Sequence, residues 1–290
     1  MKRDFERNYA GYFLVYMAAI IAGYTAKAKK AICRRFNIEP NCNSMVFDGL
    51  GPKCRAVKEG AKSWAALHTL YNFPQAKYKT NAIGRIVDLF WLLGLKNPRG
   101  VRNRLKIVTS RLSEECTRLL KEKQTITILS LACGSAEAVL SAVASLGADK
   151  DRVHVFLLDQ EQSALDYAQR EADRLGVKIT TTKSSVARIR KVFKSKADIV
   201  EMVGLLDYLD DGTATRVFEM IQDAMIPDGM FITANIIPNE EITFLRYCSD
   251  WEMIYREPSR LKNLCGFVFN SHVELDTEPL RIHSVAICRK

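Results

Sequence analysis

From Thr125 onward, strand-like and helix-like runs alternate, and this alternation constrains the fold more than any other feature of the chain. The strand candidates are 126–131, "RVHVFLLD" (152–159), "KITTTKS" (178–184), "ADIVEMVG" (197–204) and "GMFITANI" (229–236). Helical spacing fills 136–147, 161–175, about 186–194 and 213–225 between them. Connections of that length join parallel strands, so a doubly wound parallel sheet is predicted. Asp210-Asp211-Gly212-Thr213 supplies a helix start, and Pro227-Asp228-Gly229 a turn into the fifth strand. After helices near 240–250 and 258–264, "HVELD" (272–276) and "RIHSVAICR" (281–289) read as an antiparallel hairpin.

The front of the chain reads differently. Residues 58–72, 80–95 and 99–122 show helical spacing, with Pro98-Arg99-Gly100 separating the last two, and the Asn-, Pro- and Gly-rich 37–55 reads as a loop. Two regions follow: an all-helical 1–122, expected to cover the substrate or dock a partner, and an α/β domain over 123–290. Charge divides at the same place. Residues 1–122 hold 23 Lys and Arg against nine Asp and Glu, a net +14, whereas the whole chain is +10. Such a front suits an anionic partner or a merely solvated surface. Tyr9 to Ala26 is uncharged and a basic stretch follows, which fits either a buried helix or one lying on a membrane surface over residues 9–35. The eight cysteines include no C-x-x-C pair, so reduced thiols in a cytoplasmic protein and no metal site are expected.

The stretch "ILSLACGSAEAVL" joins the first strand to a helix through one glycine, Gly134, the grammar of a loop that offers backbone N–H groups to a ligand. With the alternation and the terminal hairpin, it resembles the class I S-adenosylmethionine-dependent methyltransferases. The resemblance implies a seven-stranded Rossmann-like sheet, S-adenosylmethionine as cofactor, and cofactor contacts from Cys133, Gly134 and Ser135. Asp159 at the end of the second strand would accept the ribose hydroxyls, or else cap the following helix. Gln160 would lie beside the adenosine, and Ser185 stands where relatives place an acid or amide near the adenine. Gly204 and Leu205 would border the transferred methyl, with Tyr208 beyond. "LSLACGSAEA", "GLLDYLDD", "ANIIPNEEITFLRYCSDWEMIYRE" and "VRNRL" (101–105) are similar to a narrower bacterial group, related to the enzymes that form 3-hydroxypalmitate methyl ester.

Substrate contacts are expected outside the carboxyl end of the fifth strand. Asn235 lies there, Arg246 or Arg256 could hold an anion, and Trp251 or Tyr255 could form a wall. Core packing for Trp251 and an ion pair between Asp250 and Arg256 are the alternatives. His154 and His283 fall within strand patterns, as satisfied core residues, and His68 and His272 make unconvincing bases. The expected activity is methyl transfer to a small or lipid-like, anionic acceptor. The alternatives are an RNA or protein methyltransferase docking through its basic front, and a non-catalytic binding subunit.

Overall fold

The structure, a computed structural model, describes residues 4–38, 51–73, 81–270 and 273–290. Its sheet comprises β1 (Ile126–Leu131), β2 (Val153–Asp159), β3 (Ile179–Lys183), β4 (Ala197–Val203), β5 (Met225–Ile236), β6 (Glu274–Thr277) and β7 (His283–Arg289), in spatial order 3-2-1-4-5-7-6. The first five strands are parallel; β7 runs antiparallel to β5 and β6. This is the Rossmann-like α/β fold with its terminal hairpin. The chain leaves β1 toward β3 and returns at β4, so the order reverses between β1 and β4, where open sheets bind ligands. β4 is buried along almost its whole length, as expected of a parallel strand covered on both faces.

Helices α5 (Lys96–Leu120), α6 (Glu137–Ala144) and α7 (Gln162–Leu175) pack on one face through Ile107, Val108, Leu112, Val139, Leu165 and Ala168. The short α8 (Ile189–Val192), α9 (Asp211–Ala224) and α11 (Pro258–Phe269) cover the other through Ile189, Phe218, Ile221, Leu261 and Phe269. α5 is therefore part of the α/β core, although the boundary read at residue 122 assigns it to the front.

Local differences from the sequence reading have identifiable causes. Pro98 does not break a helix: it is the third residue of α5, in the first turn, where no intrahelical N–H bond is lost. The break is at Leu95, whose backbone is extended (φ −67, ψ 148). The predicted 58–72 helix is two, α2 (Pro52–Glu59) and α3 (Trp64–Tyr71), because the Ser63 hydroxyl accepts the Ala65 N–H and caps a new start. Pro52 to Arg55 of the predicted loop are helical, while its residues 39–50 lie outside the described residues. Pro227-Asp228-Gly229 sits within β5 as an irregularity, Met225 pairing with Ala197 before the ladder resumes at Met230 and Ile199. His272 also lies outside the described residues.

The first helix, α1 (Tyr12–Arg35), has two unlike faces. Ala19, Ala22, Gly23 and Ala26 are buried, and a Cβ on Gly23 would come within 2.9 Å of the Phe244 backbone nitrogen on α10 (Ile242–Cys248). Small residues thus allow close helix packing. The opposite side exposes Phe13, Leu14, Ile21 and Tyr24. Among the described residues, no helix is long and apolar enough to cross a membrane. Some of the front's basic charge is internal, at Arg99, Arg102 and Arg104. Arg99 bonds the Leu95, Gly94 and Arg7 carbonyls, and Arg102 pairs with Glu6 and bonds the Leu70 and Leu92 carbonyls.

Candidate active site

Beyond β1 the backbone enters the left-handed region at every second residue: Ala132 (φ 50), Gly134 (φ 53) and Ala136 (φ 51). Only one of these is glycine, so the two alanines carry strain of about 1–2 kcal/mol each. Strain of this kind persists where surrounding bonds fix the backbone. Here the Ala136 N–H donates to the Cys133 carbonyl at 2.7 Å. One Asp159 oxygen accepts the Gly134 N–H at 2.9 Å and the other accepts the Glu161 N–H at 2.9 Å. Asp159 therefore ties the β1 loop to the start of α7, and each oxygen keeps a further lone pair for a ligand.

A cavity of about 350 Å³ opens against this loop. Cys133, Gly134, Ser135, Asp159 and Gln160 line one side, Gly204, Leu205 and Tyr208 the other, and Trp64, Leu67 and Tyr71 of α3 contribute the remaining wall. The Trp64 indole N–H donates to the Ser163 hydroxyl at 3.1 Å, and Tyr167 packs against the rings of Trp64 and His68, with centroids 5.2 and 4.5 Å away. Asn72 Nδ2 donates to Glu137 at 3.1 Å. A Cβ on Gly134 would lie 3.1 Å from Trp64 Cβ, so the loop and α3 meet closely here. Helical spacing marked this segment of sequence but gave no sign that it faced a cavity.

Burial shifts three groups of this cavity. Burial pushes the Glu201 carboxyl on β4 up to about 7, although the Ser130 hydroxyl donates to it at 2.5 Å. Burial likewise raises the Cys133 thiol well above its ordinary range, making it a poor nucleophile. The Tyr208 hydroxyl, pushed up to about 12 by burial, accepts the Trp251 indole N–H at 2.6 Å.

Behind Gly204 and Tyr208 lies a second lobe of about 40 Å³, walled by Leu67, Leu70, Val101, Leu245, Trp251 and Met253. Arg104, Asp207 and His283 also line it. Arg104 is buried, bonds the Tyr71 hydroxyl at 3.1 Å and faces Asp207 at 3.7 Å. Burial raises the Asp207 carboxyl, against the pull of Arg104, the Ile236 N–H and the Asn235 amide. Burial and the charge of Arg104 hold the His283 imidazole well below its usual range, hence neutral.

The structure brings Tyr208 and Trp251 together at this lobe and places the other four substrate candidates outside both spaces. Asn235 is buried, donating to Asp207 at 2.7 Å and accepting from Arg256 at 2.6 Å. Arg256 pairs with Asp211 and bonds the Leu206 and Leu209 carbonyls. Arg246 pairs with Glu252 at the surface, and Tyr255 packs with Ile236, Leu280 and Ile282. Asp250 pairs with Lys30 rather than Arg256. Ser185 caps the turn Val186–Arg188, accepting the Ala187 N–H, and does not line the cavity. His283 is not a satisfied core histidine, because its buried Nδ1 has no hydrogen-bond partner among the described residues.

Residues 128–229 match the family described as "Methyltransferase domain". That segment is similar to a methyltransferase domain. The match covers the β1 loop, Asp159 and Gly204 together. Among solved structures, the chain is similar to a possible exported protein from Bordetella parapertussis, with 14% identity, 96% of each chain covered and a TM-score of 0.66. Magnesium protoporphyrin IX methyltransferase from Synechocystis PCC 6803 with bound SAH matches at 10% identity over 77% of this chain and 93% of that one, with a TM-score of 0.54. The pyocyanin biosynthetic protein PhzM matches at 14% identity over 99% of this chain and 74% of that one, with a TM-score of 0.51. No curated protein matches the sequence.

Methyltransferase domains of this family use S-adenosylmethionine, and the cavity fits that group. It has the volume of a ligand site, a glycine where backbone approaches, and a carboxylate with lone pairs to spare for a diol. Glu201 adds a testable consequence. Its folded value lies above that of an exposed carboxyl, so its contribution to stability is fully present at acid pH and falls as pH rises to about 7. Glu201→Gln should therefore raise stability at mildly alkaline pH, by roughly 3 kcal/mol, with little change near pH ~4. Denaturant titrations at both pH values would measure this, and an equal effect at the two would contradict it.

Proposed function

We propose that the domain transfers the methyl group of S-adenosylmethionine to a small or lipid-like acceptor held beside α3. The observation carrying this reading is the adjacency of two spaces, since Leu67, Gly204 and Tyr208 line both the larger cavity and the apolar lobe. A narrow buried lobe suits part of a small molecule rather than an RNA or protein chain. Burial of Arg99, Arg102 and Arg104 further withdraws front-half charge from any nucleic-acid surface. When bound, the cofactor supplies an electrophilic methyl group. In this reading Gly134, Asp159 and Gln160 hold it, Tyr208 and Trp251 orient the acceptor, and α3 excludes water from the reacting atoms.

The likeness of "LSLACGSAEA" and "GLLDYLDD" to the enzymes forming 3-hydroxypalmitate methyl ester supports a lipid-like acceptor. The anionic character expected from Arg246 and Arg256 draws no support from side chains already paired with Glu252 and Asp211. A lipid surface is supported by α1, which exposes Phe13, Leu14, Ile21 and Tyr24 and carries Lys27, Lys29, Arg34 and Arg35 further along. The protein should pellet with anionic vesicles, and the combined Phe13→Ser, Leu14→Ser and Ile21→Ser variant should not; undiminished pelleting would refute the contact.

Incubating a host extract with the protein and methyl-labelled S-adenosylmethionine tests the acceptor class. Label is expected in the organic-soluble, low-molecular-weight fraction. Label confined to RNA or protein would contradict the proposal.

A further inference from the structure

Five buried polar side-chain atoms have no hydrogen-bond partner among the described residues, and four of their residues line the one apolar lobe: Trp91 (Nε1), Asn97 (Oδ1), Arg104 (Nε) and His283 (Nδ1). They come from distant parts of the chain: the π-turn Phe90–Gly94, the first and third turns of α5, and the start of β7. Each such group costs stability, and buried polar groups are otherwise paired almost without exception. With all four residues on its wall, this space is a candidate polar site within an apolar surround.

The chemistry of the four atoms restricts what can bind. Trp91 Nε1 and Arg104 Nε can only donate, and Asn97 Oδ1 can only accept. The Asn97 amide is oriented by Nδ2 donating to Glu241 at 2.7 Å and to Asn239 at 3.0 Å, which leaves the oxygen as the unpaired end. His283 Nδ1 donates or accepts according to its tautomer. Charge restricts the ligand further. Arg104 faces Asp207, whose Oδ1 accepts from Asn235 at 2.7 Å and from the Ile236 N–H at 2.8 Å. A cationic and an acidic group already face each other here. A carboxylate or phosphate would place a second anion beside Asp207, and an ammonium would face Arg104. At about 40 Å³ the lobe holds a few non-hydrogen atoms, not a whole molecule.

We propose that this lobe receives a neutral, hydrogen-bonding end of the methyl acceptor, of carboxamide type: a carbonyl oxygen beside an N–H. The oxygen accepts from Arg104 and Trp91, and the N–H donates to Asn97 or His283. This assignment rests on the acceptor lying beyond Gly204 and Tyr208, as proposed above.

The full-length protein, with and without S-adenosylhomocysteine, is titrated at neutral pH with acetamide and with its isostere acetate. Nitrogen–proton spectra follow the three indole N–H signals, with Trp91→Phe assigning that of Trp91. Acetamide should shift the Trp91 signal saturably and at least about tenfold more tightly than acetate. Asn97→Leu and, independently, His283→Leu should weaken acetamide binding about tenfold while S-adenosylhomocysteine still binds. Equal or tighter binding of acetate, or no shift with either probe, would overturn the proposal. Loss of S-adenosylhomocysteine binding in the wild type would instead strike the cofactor reading, and the acetamide titration of the free protein would still decide the lobe.

Discussion

Asp159→Ala is expected to weaken S-adenosylmethionine binding by about 2–4 kcal/mol, roughly 30- to 1000-fold, because charge-assisted bonds to the ribose are lost. The same carboxylate holds the Gly134 and Glu161 N–H groups, so part of the loss would come from loosening the loop. Asp159→Asn separates the two contributions: its carbonyl can still accept one backbone N–H but brings no charge to the diol. Gly134→Ala addresses the other side of the cleft. The left-handed backbone costs alanine about 1 kcal/mol, and the added carbon 3.1 Å from Trp64 Cβ pushes α3 away from the loop. Calorimetry should therefore show weaker binding in every variant, with Asp159→Ala the largest change. Wild-type affinity in folded Asp159→Ala would mean that Asp159 serves only the loop.

Arg256→Leu should destabilise the fold by about 3–5 kcal/mol, the range for breaking a buried charged network by removing one partner. The guanidinium is buried and bonds Asp211, the Leu206 and Leu209 carbonyls and Asn235. Leucine fills the space but removes the guanidinium donor from the Leu209 carbonyl and the Asn235 oxygen, and leaves the Leu206 carbonyl only the Leu209 N–H. These acceptors flank Tyr208 at the mouth of the lobe, so weakened acceptor use should accompany the lost stability. Urea unfolding measures the first effect, and a change below about 1 kcal/mol would show that water replaces the arginine without cost.

The sheet was legible because apolar residues dominate β1, β2 and β4, and the intervening helices repeat at helical spacing. Asp159 was legible because it ends an apolar strand just before a helix. The alanines at 132 and 136 concealed two left-handed positions, since nothing in a side chain announces a backbone that glycine would adopt more easily. Arg256 and Asn235 looked like ligand residues for the same reason that they are structural: both are polar and follow β5 or end it. Which of a polar residue's neighbours reaches it first depends on tertiary contacts with Asp207 and Asp211, 20 or more residues away in sequence. Arg104 and His283 were passed over in the opposite direction. The first lay in an arginine-rich helix that suggested surface charge, and the second in a strand that suggested a satisfied core. Their meeting depends on α5 lying against the start of β7, where a Cβ on Gly100 would come within 2.6 Å of Ile282.

The central claim is that the cavity between the β1 loop and α3 holds the cofactor. Thermal unfolding with S-adenosylmethionine and with S-adenosylhomocysteine tests it most directly, since both share the adenosine and amino-acid portions that Asp159 and the loop would hold. Each compound at 100 times its dissociation constant should add about 2.7 kcal/mol, raising the midpoint by roughly 4–5 °C in a protein of this size. Asp159→Ala should require a higher concentration of either compound for the same rise. An unchanged midpoint with both compounds at millimolar concentration would contradict the account.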